Sequence, residues 1–127
     1  MSSLKKIVFE DQQNFSSTVY EGQVIAFLSN KAIVVDINGS KIKSKKAFSC
    51  MVDPIPGDLV LVSCGNLKES NCNYILSVLS RESSDQSSRI SFPSDATFES
   101  ENGRINLIAK DNITMTSERV NILSREA

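Results

Sequence analysis

The sequence predicts an all-β protein: a small five-stranded antiparallel barrel, then a short repetitive extension of brief strands. Three observations predict it. Two apolar runs flank Pro54-Ile55-Pro56-Gly57-Asp58, whose prolines bar a helix across the gap. Asn38-Gly39 separates two further runs of strand formers. No stretch of the 127 residues carries the i, i+3, i+4 apolar spacing of an amphipathic helix.

The elements follow in order. In the N-terminal segment, residues 1–17, Ile7-Val8-Phe9 is expected as a short strand before the polar run Asp11-Gln12-Gln13-Asn14. Val19 to Leu28 is rich in strand formers, and Gly22 within it marks a bulge or a sharp bend. Ser29-Asn30-Lys31 turns the chain into Ala32 to Ile37, which runs straight into Asn38-Gly39, the pair best suited to a two-residue type I′ hairpin. The third strand is expected to return from Lys41 to Val52, with Ile42, Phe48, Cys50 and Val52 on one parity and Lys41, Lys43 and Lys45 on the other. Lys46 breaks that alternation.

Pro56 presets φ near −65° and Gly57 tolerates positive φ, so the two fit the centre of a type II turn. Pro54, Pro56, Gly57 and Asp58 are therefore the expected structural turn. Asp58 to Cys64 is apolar at nearly every position, as expected of a central strand covered on both faces. Gly65 to Asn71 is a polar loop, and Cys72 to Ser80 supplies the fifth strand. The barrel is thus expected over residues 18–81, with a Ser-rich linker over 82–88.

From residue 89 to 127 the texture changes to apolar couplets at alternating positions: Ile90/Phe92, Ala96/Phe98, Ile105/Leu107, Ile113/Met115 and Val120/Ile122. Small polar turns such as Glu101-Asn102-Gly103 separate them. So few apolar side chains cannot offset the entropy of ordering the whole segment, and a lone ladder leaves open edges. Identical chains closing around a shared axis solve both problems, and three is the smallest number that encloses one. Ile105, Leu107, Ile113, Met115, Val120 and Ile122 are the expected trimer-packing residues.

Composition excludes several functions. Lys and Arg total 14 against 15 Asp and Glu, a net charge of −1 that gives no general case for nucleic acid or anionic membrane. No apolar run is long enough to span a bilayer and the amino end lacks a secretory pattern, so the cytoplasm is the expected location. There is no histidine, which removes most hydrolytic triads and neutral-pH proton shuttles. No paired carboxylates, nucleophile elbow or phosphate-binding Gly-rich loop stands in their place, so no enzyme, cofactor or metal is expected. The three cysteines, Cys50, Cys64 and Cys72, have no zinc or disulfide spacing and are expected as buried reduced thiols.

One stretch points elsewhere. Lys41, Lys43, Lys45 and Lys46 form a basic strand of the kind with which barrels hold single-stranded nucleic acid, an alternative to edge lysines that discourage aggregation.

The segment Lys46-Ala47-Phe48-Ser49-Cys50-Met51-Val52-Asp53-Pro54-Ile55-Pro56-Gly57-Asp58-Leu59-Val60-Leu61-Val62, followed by Tyr74-Ile75-Leu76-Ser77-Val78-Leu79, resembles a bacterial family of unknown function encoded beside type VI secretion spike genes. Met51 stands where that family usually has leucine. The resemblance implies an architecture like the neck of VgrG and phage tail spikes, an OB-fold barrel leading into a trimeric β-helix or β-prism. It also implies a role in assembling or loading the injection spike, with VgrG, a PAAR-type tip protein or a secreted effector as partner. Whether the protein stays in the cytoplasm or is incorporated in or exported with the apparatus is left open. The valine-glycine repeats of a full needle are absent, so a short adaptor stub fits better. The remaining alternative is a monomeric secretion chaperone whose tail orders only on a client.

Overall fold

The computed structural model describes residues 18–65, 73–82 and 86–125. Five strands form a closed barrel: β1 (Thr18–Phe27), β2 (Ile33–Ile37), β3 (Ser40–Lys46), β4 (Leu59–Cys64) and β5 (Tyr74–Ser80), in the order β1-β2-β3-β5-β4. The described residues contain no helix, and so none long and apolar enough to cross a membrane. The expected strand at Ile7-Val8-Phe9 and the expected thiol Cys72 lie outside the described residues.

The sheet is mixed, which corrects the expectation of a purely antiparallel one. Four pairings are antiparallel, whereas β3 and β5 run parallel and meet only at Lys45↔Tyr74 and Lys46↔Ile75. Because β4 lies between β1 and β5, β5 reaches β3 from the far side with the same polarity. That choice is made by ring closure and not by any local turn.

Strand β1 closes the ring by serving two partners. Thr18 to Gln23 pair with β4, and Gln23 to Phe27 pair with β2. The strand must coil sharply between these jobs, and Gly22 sits at the crossing. A Cβ built there would lie 2.5 Å from Val35 Cγ1, 2.9 Å from Ile37 Cγ1 and 3.0 Å from the Asp36 carbonyl oxygen. The register shift falls two residues on, between Val24 and Ala26, so the glycine provides the close approach and not the bulge.

Both hairpins follow their local residues. Asn38 and Gly39 have φ of 51° and 89°, and the Asp36 carboxylate accepts from Gly39 N–H at 2.8 Å. At the β1–β2 hairpin Lys31 N–H donates to Leu28 C=O (3.0 Å) and Leu28 N–H to Ala32 C=O (2.8 Å), with Lys31 at φ 69°. This is a three-residue loop whose last position is left-handed, usually a glycine's place. A lysine there costs about 1–2 kcal/mol of backbone strain.

Val24, Ile33, Val35, Ile37, Cys50, Val60, Val62, Cys64 and Ile75 make the core, with Ile42, Ala47 and Val78 against it. Alternation delivers these side chains inward, which corrects the reading of β4 as covered on both faces. Val60, Val62 and Cys64 are buried, while Leu59 is exposed and Leu61 and Ser63 are half-buried on the outside. Burial pushes the Cys50 and Cys64 thiols up from their ordinary range. Strand β3 also stops sooner than expected. After Lys46 a turn closes from Ala47 C=O to Cys50 N–H (3.0 Å), resetting the parity, so that Cys50 is buried but Phe48 is 81% exposed.

The chain divides into two compact units, residues 1–93 and 94–127. In the second unit the described residues of a single chain form no strand, and the expected short strands were ones shared between chains. A strand is a paired state, and a single copy of so brief a repeat has no neighbouring edge to pair with. Within it the chain bends at 101–103, 110–111, Glu118 and Arg125, at intervals of about eight residues.

Candidate functional site

Three arrangements of side chains stand out, and each is built from a local feature of the chain. The first is the turn at Pro54–Asp58. Gly57 has φ 95°, Asp58 N–H donates to Ile55 C=O (3.1 Å), and Gly57 N–H and Val24 N–H tie the turn to β1 at 2.8 and 2.9 Å. This directs the Asp58 side chain inward, where it is 0% exposed. Its Oδ2 accepts from Ile55 N–H (2.9 Å) and from Arg81 Nη2 (2.9 Å), while Oδ1 accepts from Arg81 Nε (2.8 Å). Burial alone would raise the Asp58 carboxyl; the Arg81 hydrogen bonds, Ile55 N–H and the guanidinium charge outweigh it and hold the group below the ordinary carboxylate range.

Arg81 extends the network outward. Its Nη2 also donates to Asp53 C=O (3.2 Å), and Nη1 donates to Ser87 C=O (3.3 Å) and Ser88 Oγ (3.2 Å). Asp53 receives Lys46 Nζ on Oδ1 and Ser91 Oγ on Oδ2 (2.7 Å), and its N–H donates to Arg89 C=O (2.8 Å). Burial would raise Asp53 too, but the Lys46 and Ser91 bonds prevail and lower it. Residues 87–91 are thereby strapped along the turn. Sequence reasoning placed Pro54, Pro56, Gly57 and Asp58 correctly in one turn but missed Arg81, since nothing local marks the partner of a carboxylate 23 positions earlier. The only hint was a lone arginine directly after the fifth apolar run.

The second arrangement is a cleft of about 440 Å³ where β2 begins and β3 ends, lined by Asn30, Lys31, Ala32, Ile33, Lys43, Ser44, Lys45, Lys46 and Asn73. Ser44 Oγ donates to Ile33 C=O (2.9 Å) and Asn73 Nδ2 to Lys43 C=O (3.1 Å), which fix its walls. Of the sequence-predicted lysines, Lys43, Lys45 and Lys46 come together here; Lys41 does not line the cleft, and Lys31, missed from sequence, joins through its left-handed turn. Among the described residues only Lys46 of this group is ion-paired. Among the described residues no carboxylate lines the cleft.

The third is the row of side chains in the second unit. Ile105, Leu107, Ile113, Met115, Val120 and Ile122 are all exposed, as is every residue from 86 to 125. Each bend-to-bend segment carries one i, i+2 couplet, the spacing that shares one face where a chain is paired as a strand. The hydrogen bonds Thr114 Oγ1 to Asn112 Oδ1 (3.2 Å) and Ser117 Oγ to Arg119 C=O (2.8 Å) are local and set the bends between couplets.

The family described as Protein of unknown function (DUF3540) matches residues 23–127, from the middle of β1 through the last couplet. The chain belongs to the DUF3540 family. Comparison with curated proteins gives no match, and comparison with solved structures gives none either. In this DUF3540 chain the match takes in the Asp58–Arg81 network, the lysine cleft and the couplet row alike, so the family is defined on head and tail together. Among the described residues of the DUF3540 chain no three His, Cys, Asp or Glu side chains gather where they could hold a metal ion.

Proposed function

We propose that this DUF3540 protein is a non-enzymatic structural adaptor of a type VI, contractile injection system: a spike-like homotrimer that helps assemble the spike or load an effector. One observation carries it. A stretch of 40 residues, 86 to 125, exposes every side chain yet repeats an apolar couplet at each bend, a pattern that one copy leaves in water and several copies bury. Closed rotational symmetry then lets one sequence supply every wall, with brief strands pairing between chains as a β-prism or β-helix.

The barrel is read as OB-like, which five strands, the inserted order of β4 and a β1 shared between two partners support. It serves as a globular head, and the trimeric tail offers its end to a partner of similar geometry: VgrG, a PAAR-type tip protein or an effector. Light scattering on the full chain tests the assembly, with a mass of three chains expected. A single-chain mass, with tail amides protected from exchange, overturns it. Co-purification with co-expressed VgrG tests the secretion role, and the trimer eluting alone from VgrG, tip protein and effector overturns that part.

A further inference from the structure

We infer that the cleft between β2, β3 and Asn73 is a docking site for an acidic, extended peptide segment of a partner protein. The inference goes beyond the trimeric-adaptor reading and stands whether or not the tail associates. Charge complementarity is its first ground. In a chain of net charge −1, Lys31, Lys43 and Lys45 line one cleft, and among the described residues no carboxylate lines it and none of the three is ion-paired. Among those residues the positive charge is local and has no counter-charge beside it.

The second ground is Lys31 itself. Its backbone is held at φ 69°, in the left-handed position where a hairpin of this kind prefers glycine. Strain retained at such a position is characteristic of a site that uses the side chain there. That turn brings Lys31 into the same cleft lining as Lys43 and Lys45.

The third ground decides between kinds of anion. Among the described residues no aromatic ring lines the cleft, so bases find no stacking platform there, which disfavours single-stranded nucleic acid. The lining instead combines the amide of Asn30 with half-buried Ala32 and the lysine stems, a surface for a peptide that alternates carboxylates with aliphatic side chains. Beside it, among the described residues, the edge of β3 is covered only in part, with Asn73 Nδ2 on the Lys43 carbonyl. β5 pairs with β3 only at Lys45 and Lys46, so from Ser40 to Ser44 the β5 side of β3 has no strand partner among the described residues. An extended peptide can pair with that backbone while its carboxylates meet the lysines.

The test uses the full chain and a fluorescein-labelled decapeptide of alternating glutamate and valine, read by anisotropy at low salt. Saturable micromolar binding is expected, weakening as salt rises because exposed charges are screened. The double variant Lys43→Glu, Lys45→Glu is expected to weaken it at least about ten-fold, since reversing two rim charges turns attraction into repulsion. Lys31→Gly separates site from fold: it relieves the strained turn, so thermal stability holds or rises while peptide affinity falls. Ile113→Asp, which attacks only the tail, leaves peptide binding intact, so failure of the trimer and failure of the cleft are told apart. No saturable binding at about 100 μM peptide, affinity untouched by the Lys43/Lys45 reversal, or tighter binding of labelled oligothymidylate overturns the inference, the last in favour of nucleic acid.

Discussion

Asp58 and Arg81 form a two-pronged ion pair inside the barrel, Nε to Oδ1 at 2.8 Å and Nη2 to Oδ2 at 2.9 Å, with the carboxylate fully buried and the arginine side chain 13% exposed. The pair joins the turn before β4 to the residue after β5. Through the remaining guanidinium nitrogen it also reaches Ser87 and Ser88, so it fixes both the barrel end and the start of the segment beyond.

Asp58→Ala is expected to destabilise the barrel by about 3 kcal/mol, the lower end for breaking a buried pair, because Arg81 keeps the Asp53 carbonyl and Ser87 as partners. Arg81→Lys does not rescue the loss of the arginine, since an ammonium cannot donate two parallel bonds to one carboxylate. Urea denaturation of the two variants measures both; equal stability of Arg81→Lys and the parent refutes the bidentate reading.

Acid should weaken the same region. Folding lowers the pKa of Asp53 and Asp58, so their contribution is complete above the ordinary aspartate value of about 3.9 and is lost as pH falls through it toward the lowered folded values. Melting temperature is therefore expected to fall between about pH 5 and about pH 3. A chain carrying Asp53→Asn and Asp58→Asn should start lower and decline less steeply. An unchanged slope shows that other carboxylates govern the acid limb.

Gly22→Ala places a methyl where Val35, Ile37 and the Asp36 carbonyl oxygen already stand. The carbonyl belongs to the β2 backbone and cannot rotate aside, so β1 must give way at its crossing. A loss of about 1–3 kcal/mol is expected, the range for overpacking a tight core. Thermal unfolding followed by circular dichroism reads it, and a neutral result places the β1 bend elsewhere.

Ile113→Asp is expected to dissociate the proposed trimer, because each chain would bring a carboxylate to one apolar axis without a partner. Light scattering should then give the mass of one chain, with the barrel still folded because Ile113 belongs to the other unit. Unchanged mass means that the couplets do not pack against one another.

Much of the barrel was legible because its decisive residues act on their own backbone. Pro56-Gly57 and Asn38-Gly39 set turns through φ alone, whereas the one-sided burial of β4, with Val60, Val62 and Cys64 inside, was hidden by apolar residues on both parities. Phe48 was misread because a turn two residues after β3 reset the parity, and turns of Ala-Phe-Ser-Cys composition carry no proline or glycine to announce them. Of the candidate cleft, Lys43, Lys45 and Lys46 were visible as a run. Lys31 and Asn73 were not, since they arrive from separate loops.

The sequence by itself determined the turns at Asn38-Gly39 and Pro56-Gly57, the five apolar runs and where an apolar repeat replaces a core, because those properties depend on φ preference and on neighbours one to four positions away. Only the tertiary structure decided that β3 meets β5 in parallel, that Arg81 answers Asp58, that Gly22 is a point of contact and that Lys31 lines one cleft with Lys43 and Lys45. Each of these joins residues far apart in the chain, and such meetings are fixed by closing the barrel as a whole: once β1 serves two partners, the last strand has one remaining edge to fill.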